Sequence, residues 1–344
     1  MDAVVKLAPG EEAPRGENRP QSSWLERFCF PFLFQTQNPD GGWGHRAGAC
    51  SAVEPTCWAL LALAGAPRSG EQEAALGRGL SWLCSQQLPD GSWPAFPGQA
   101  QGCWVTSLAC LALHALAPPT AGLGWSPACA GKPDALARGL GWLSRSWPGE
   151  GGLWWRLREK LLPNQNIVRQ NSALRGWSWT PGTSSWVEPT SYVLIALRKI
   201  PAELHPRGVA KRRRLGEAML YDRMCPGGGW NCGNPRVYGV AGEPAVGATA
   251  WALLALQDYS EQAENQRSLD WLERSYAAIH GPGSLVLASL CLETYARSVP
   301  PLSVALERLY DANQFLQNVA VVAWAAIALS PARAALQWTL AARG

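Results

Sequence analysis

The chain has 344 residues, 47% of them hydrophobic and only 16% charged, and its 30 basic and 26 acidic side chains leave a net charge of +4. That length and apolar content exclude a disordered protein and one that needs a metal or disulfide staple to fold, and the weak charge balance gives no basis for nucleic-acid binding. Tryptophan is the anomaly: 19 Trp beside 6 Phe and 7 Tyr call for a repeated reason.

In chain order, residues 1–22 are polar and proline-containing with no apolar core, and are predicted to be a flexible tail, not a signal peptide. Residues 23–344 read as one domain. The longest apolar stretch, Val319 to Leu329, is far short of the ~20 residues that span a bilayer. A cytoplasmic protein, at most peripheral to a membrane, is the expectation. Ten cysteines without a secretion signal predict free, buried thiols. His45 with Cys50 and Cys57 lacks metal-ligand spacing, so no metal site is expected. The basic run Lys211 to Arg214, beside Arg207, reads as a solvated helix face, with a weak anionic-membrane contact as the alternative.

An internal repeat organises the rest. Asp40-Gly-Gly-Trp43 returns as Asp90-Gly-Ser-Trp93, each followed about a dozen residues later by threonine and a Leu/Ala-rich segment. Those segments are Pro55 to Leu63, Val105 to Leu113, Pro189 to Leu197 and Ala248 to Leu256, with fainter copies at Gly283 to Tyr295 and Asn318 to Leu329. They are apolar all round and must be buried on both sides. More amphipathic helices alternate with them, through Gly79 to Leu83, Gly139 to Leu143, Leu215 to Met224 and Ser268 to Leu272. No alternating run suggests a sheet. Five or six helical hairpins fit either an open solenoid or a closed double ring, the α/α toroid, and the lack of a polar capping repeat favours closure.

One unit, Arg78-Gly79-x-x-Trp82-Leu83-x-x-x-Gln87-x-x-x-Gly91-x-Trp93, meets a sixteen-residue pattern in full. Degenerate copies run Phe32-Leu33-x-x-x-Gln37-x-x-x-Gly41-x-Trp43, Arg138-Gly139-x-x-Trp142-Leu143, and Gly216-x-x-Met219-Leu220 on to Gly228-x-Trp230. The pattern is the QW motif, and on it the chain resembles the prenyltransferase/squalene-cyclase repeat superfamily, squalene–hopene cyclases above all. The resemblance implies a single α/α toroid. It implies a terpene cyclase or mutase-like protein, an isomerase, that binds a polyprenyl or triterpenoid chain in the central cavity without a cofactor. Trp43, Trp82, Trp93 and Trp230 are then structural staples between hairpins. Full-length cyclases of this kind pair two toroids, so a partner subunit or a homodimer is implied as well.

Such cyclases protonate an alkene or epoxide from an Asp-x-Asp-Asp-Thr motif at the start of an inner helix. The matching stretch is Trp186-Val187-Glu188-Pro189-Thr190, which makes Glu188 the candidate acid; Val53-Glu54-Pro55-Thr56 repeats it, with Glu54 the weaker candidate. Trp179, Trp186, Thr190, Tyr192, Trp58 and Trp251 are candidate substrate-binding residues, the rings as cation–π partners of a carbocation. The structural reading of both stretches is a proline at the first helical position and a first-turn acid that complements the helix dipole. Carbohydrate stacking on the rings remains a third reading, without a second carboxylate at a set distance to support it. The Asp-x-Cys pair of zinc prenyltransferases and the Gly-Cys-Gly-Glu-Gln thioester sequence are absent. A non-catalytic toroid that binds lipid or protein is the competing function.

Overall fold

The computed structural model describes residues 24–67, 69–116, 134–152, 155, 157, 160–161 and 170–330; the expected tail, 1–22, lies outside them. A π-helical turn, Leu25–Cys29, leads into α1 (Phe30–Gln35). The helices that follow are α2 (Val53–Leu63), α3 (Gly70–Ser85), α4 (Val105–Ala115), α5 (Ala135–Arg145), α6 (Val187–Lys199) and α7 (Val209–Asp222). Then come α8 (Val246–Ala255), α9 (Ala263–Ser275), α10 (Pro282–Thr294), α11 (Leu302–Asn313) and α12 (Val319–Leu329). Among the described residues the only paired strands are a two-residue hairpin, Arg236–Val237 with Val240–Ala241.

The even-numbered helices form an inner ring. Each packs on the next, α2 on α4, α4 on α6, and so on to α12, which packs back on α2. The odd-numbered helices lie outside, each against an inner neighbour. Closure is sealed by the Val319 amide donating to the His45 carbonyl at 3.1 Å and by an Arg27–Glu307 ion pair at 3.2 Å. The toroid is therefore closed, with six hairpins among the described residues. Inner helices are buried nearly all round because they meet the ring on one face and the outer layer on the other.

The repeated tryptophans hold this arrangement. Trp43, Trp93, Trp177 and Trp230 are buried, and their indole N–H groups donate to Leu33, Leu83, Leu143 and Leu220 carbonyls at 2.6–2.9 Å. Their backbone amides donate to the hydroxyls of Thr56, Thr106, Thr190 and Thr249 at 2.9–3.0 Å. Gln37 and Gln87 bind across hairpins: each amide donates to a backbone carbonyl of the next outer helix, Ala75 and Ala135, and accepts from that helix's arginine, Arg78 and Arg138. Trp82 has a related role, donating to Asp40 at 3.0 Å. Glycine completes the unit. A Cβ on Gly79, Gly139 or Gly216 would come within 2.7–2.9 Å of the indole of Trp43, Trp93 or Trp177.

Three expectations are corrected. Pro55 and Pro189 stand third in their helices, not first, because α2 and α6 begin at Val53 and Val187; a missing N–H is tolerated there since the first turn has no internal acceptor. The basic run is not simply a solvated face. Arg212 is buried between the rings of Trp147 and Trp177, at 3.8 and 4.2 Å from their centroids, and donates to the Ser146, Arg175 and Gly176 carbonyls. Arg213 pairs with Glu217 and Asp258. Of the cysteines, six of the described free ones are buried and Cys50 and Cys232 are exposed, but Cys84 is disulfide-bonded.

Two glycines on α3 separate close packing from helix propensity. Gly79→Ala drives its methyl into Trp43 and Leu60 and should cost about 1–3 kcal/mol. Gly77→Ala meets nothing within 4 Å and should stabilise the helix by about 0.5–1 kcal/mol. Thermal melts of the two variants beside wild type read the opposite shifts.

Candidate functional site

Backbone hydrogen bonds tie the starts of α2, α4, α6 and α12 to the connections that enter α4, α6, α8 and α2, so the N-termini of these five inner helices gather at one end of the ring. Two tiers of side chains mark that end. On α2, Glu54 and Trp58 are four residues apart and share a face; on α6, Glu188 and Tyr192 repeat the spacing. Gly247 and Trp251 do so on α8. Ahead of α4, Trp104 stands two residues before Thr106, at the same position as the glutamates.

The deeper tier is a contiguous aromatic floor. Trp58 and Trp251, from helices on opposite sides of the ring, stack at 5.7 Å between centroids. Tyr192 lies 4.8 Å from Trp251 and 6.2 Å from Trp58, and Trp324 of α12 meets Trp58 and Trp251 edge-on at 5.7 and 5.8 Å. Trp104 stacks on Tyr192 at 5.0 Å and carries Trp179 edge-on at 5.0 Å. Trp58, Tyr192 and Trp251 are buried, while Glu54, Trp104, Glu188 and Gly247 above them are half-buried. At this level the expected central cavity is occupied by rings, and what is left is a mouth above the floor. On one side it is unfilled: a Cβ on Gly247 would meet nothing within 4 Å.

The electrostatics of the mouth follow from burial. Desolvation pushes the Glu54 carboxyl up to about 7, and the nearby Glu188 charge adds to it. Glu188 is raised by burial too. Both carboxyls sit in the first turn of their helices, where the dipole favours the anion, yet desolvation dominates. Tyr192 is raised well above the ordinary phenol range, by burial first and then by both glutamates, so its hydroxyl shares their neighbourhood. Among the described residues neither carboxyl nor the Tyr192 hydroxyl has a hydrogen-bond or ion-pair partner. The indole N–H groups of Trp58 and Trp324 are buried and unpartnered as well. No group of three His, Cys, Asp or Glu that could hold a metal occurs among the described residues.

Of the sequence candidates, the structure brings together Glu54, Glu188, Trp58, Tyr192 and Trp251, with Trp179 joined through Trp104. Thr190 is not with them, because its hydroxyl is engaged with the backbone amide and carbonyl of Trp177. Trp186 is half-buried ahead of α6 and makes none of the ring contacts described above. Two members were missed. Trp104 precedes the helix it serves, and Trp324 belongs to a unit in which Val322 replaces the threonine that marks the register. Counting two residues on from Val322, as Trp58 stands two on from Thr56, would have found it.

No family model matches the chain. It is 39% identical over 93 residues to drimenyl diphosphate synthase from Streptantibioticus cattleyicolor, a stretch that covers 27% of this chain and 17% of that enzyme. It is 38% identical over 80 residues to human lanosterol synthase, covering 20% of this chain and 10% of that enzyme. The matched region thus spans less than a fifth of either relative. A type II terpene cyclase from Scytonema, solved with its product merosterolic acid A, superposes with a TM-score of 0.47 at 15% identity over 86% of this chain and 80% of that one. The chain resembles the squalene-cyclase-like superfamily, the resemblance that the repeated motif implies.

Because burial favours the neutral form of Glu54 in the folded protein, its contribution to stability is full below the unfolded value of 4.5 and is lost as pH rises through about 7. Glu54→Gln should therefore match wild type near pH 4.5 and exceed its stability at pH 8 by on the order of 2 kcal/mol, a figure that allows for partial exposure. Denaturant melts across that range read the crossing.

Proposed function

We propose that the chain is a terpene cyclase-like protein that holds a polyprenyl or triterpenoid molecule at the mouth of the toroid and protonates it from the Glu54–Glu188 pair. The observation that carries this reading is two unpaired, desolvated carboxyls above an aromatic floor. With a value near 7, Glu54 holds its proton in about half of the molecules at neutral pH, and the Glu188 charge beside it opposes its ionisation. Glu54 can therefore both give a proton at the start of a cyclisation and take one at its end, with Glu188 beside it. Glu54, weaker on motif grounds, is the better donor on environment. Positive charge that develops on the substrate is attracted to the faces of Trp58, Tyr192, Trp251 and Trp324. The proposal calls on no metal or organic cofactor.

Delivery of such a substrate suits the same end of the molecule. Phe96, Tyr238, Val240 and Leu316 are 43–76% exposed and lie in the connections that enter inner helices. We place a peripheral membrane contact there, with a partner subunit or second copy as the alternative cover. No described helix is long and apolar enough to cross a membrane.

A second reading is favoured by the Trp58–Trp251 stack, which fills the ring where a long substrate would thread: a lipid-binding or protein-interaction toroid without chemistry. Incubation with squalene and with geranylgeranyl diphosphate in liposomes, followed by mass spectrometry, separates the two. Cyclised product from wild type, reduced about a hundredfold or more in Glu54→Gln, is the expected result. Bound substrate recovered unchanged establishes the binding module, and equal turnover by a Glu54→Gln/Glu188→Gln double variant removes the pair from the chemistry.

A further inference from the structure

The mouth has a charge imbalance that a hydrocarbon does not resolve. Glu54 lies in the field of Glu188, and among the described residues no basic side chain acts on either carboxyl. The Tyr192 hydroxyl, on a side chain only 5% exposed, has no partner among the described residues and feels both charges. Around these three polar groups stand aromatic rings: Trp104 stacked on Tyr192, Trp58 edge-on to it and Trp251 tilted against it. The described residues offer no third acidic, Cys or His ligand, so a metal ion is not what the carboxyls lack. A weakly hydrated cation with carbon around its charge meets both features, since carboxylates supply the counter-charge and indole faces attract the cation's flank. Room for it exists over α8, where Gly247 leaves the upper tier empty.

We propose that the mouth binds an organic ammonium ion bearing an alkyl chain, with Glu54 and Glu188 opposite the nitrogen and Trp58, Trp104, Tyr192 and Trp251 against its carbon. This goes beyond the cyclase reading and stands without it. The vacant position on α8 provides an internal version of the same ion: a lysine at 247 projects from the tier that carries both glutamates.

Calorimetric titration of the full chain with hexyltrimethylammonium, hexanol and hexyl sulfate tests the proposal. Hexyltrimethylammonium should bind at least tenfold more tightly than hexanol, and hexyl sulfate should not bind. Glu54→Gln/Glu188→Gln should lose at least tenfold in affinity for the ammonium and none for hexanol. Gly247→Lys should abolish ammonium binding while raising the melting temperature, a readout that a misfolded variant cannot give. Equal affinity for ammonium and alcohol, no binding of ammonium by wild type, or undiminished binding by the double glutamine variant would each overturn the proposal. Turnover of squalene or geranylgeranyl diphosphate is measured separately, so loss of the cyclase reading leaves this one standing.

Discussion

The structure depends on one clasp, made four times: a loop tryptophan whose backbone amide donates to the threonine hydroxyl of an inner helix while its indole N–H donates to a leucine carbonyl of an outer one. Each clasp ties the end of an outer helix, the connecting turn and the start of the next inner helix into one unit. The hydrogen bonds are buried, so losing one leaves an orphaned donor in the core, a cost of about 1–3 kcal/mol and larger than the net value of a surface bond. Because every clasp holds an inner helix by its first turn, the N-termini of α2, α4, α6 and α8 are kept level at one end. The mouth exists for that reason. Side chains two residues before the threonine form its rim and those two residues after form its floor.

This constraint also explains which parts of the molecule could be read from residues alone. The clasp needs a tryptophan, a tight glycine turn and a threonine, and these three leave a trace wherever they recur; five or six hairpins followed from that trace, and closure into a ring from the lack of a polar capping repeat. The floor was legible only in part. Trp58, Tyr192 and Trp251 stand in register with a threonine and could be placed, whereas Trp324 follows a valine and Trp104 sits outside the helical period. The relation between Glu54 and Glu188 was not legible at all. Two occurrences of one phrase argued for a shared helix-start signal, and the helices that carry them are not neighbours in the ring. Only the inward direction of both first turns brings the carboxyls into one field.

The same geometry sets a limit on chemistry. Desolvation that keeps a proton on Glu54 makes it a holder of protons and not a strong acid, so any reaction started there has to gain from stabilisation of what forms afterwards. The aromatic floor is where such a gain would arise. It also fills the ring, and a ligand is thereby restricted to the rim.

Closure of the ring has a kinetic corollary. The hydrogen bond from Ser330 to the Gly65 carbonyl joins positions 265 residues apart, whereas the bonds of the four clasps join positions 10 to 34 residues apart. Local units can form early and independently, but the last seam between α12 and α2 must wait for the whole chain to curve upon itself. The entropic cost of so long a loop grows only as the logarithm of its length, so it is affordable once the units have formed. A toroid of this kind should therefore assemble as a string of quickly formed hairpins and lock in one late, slow event, and it should resist unfolding as a hoop does, because opening any one unit strains the seam that closes it.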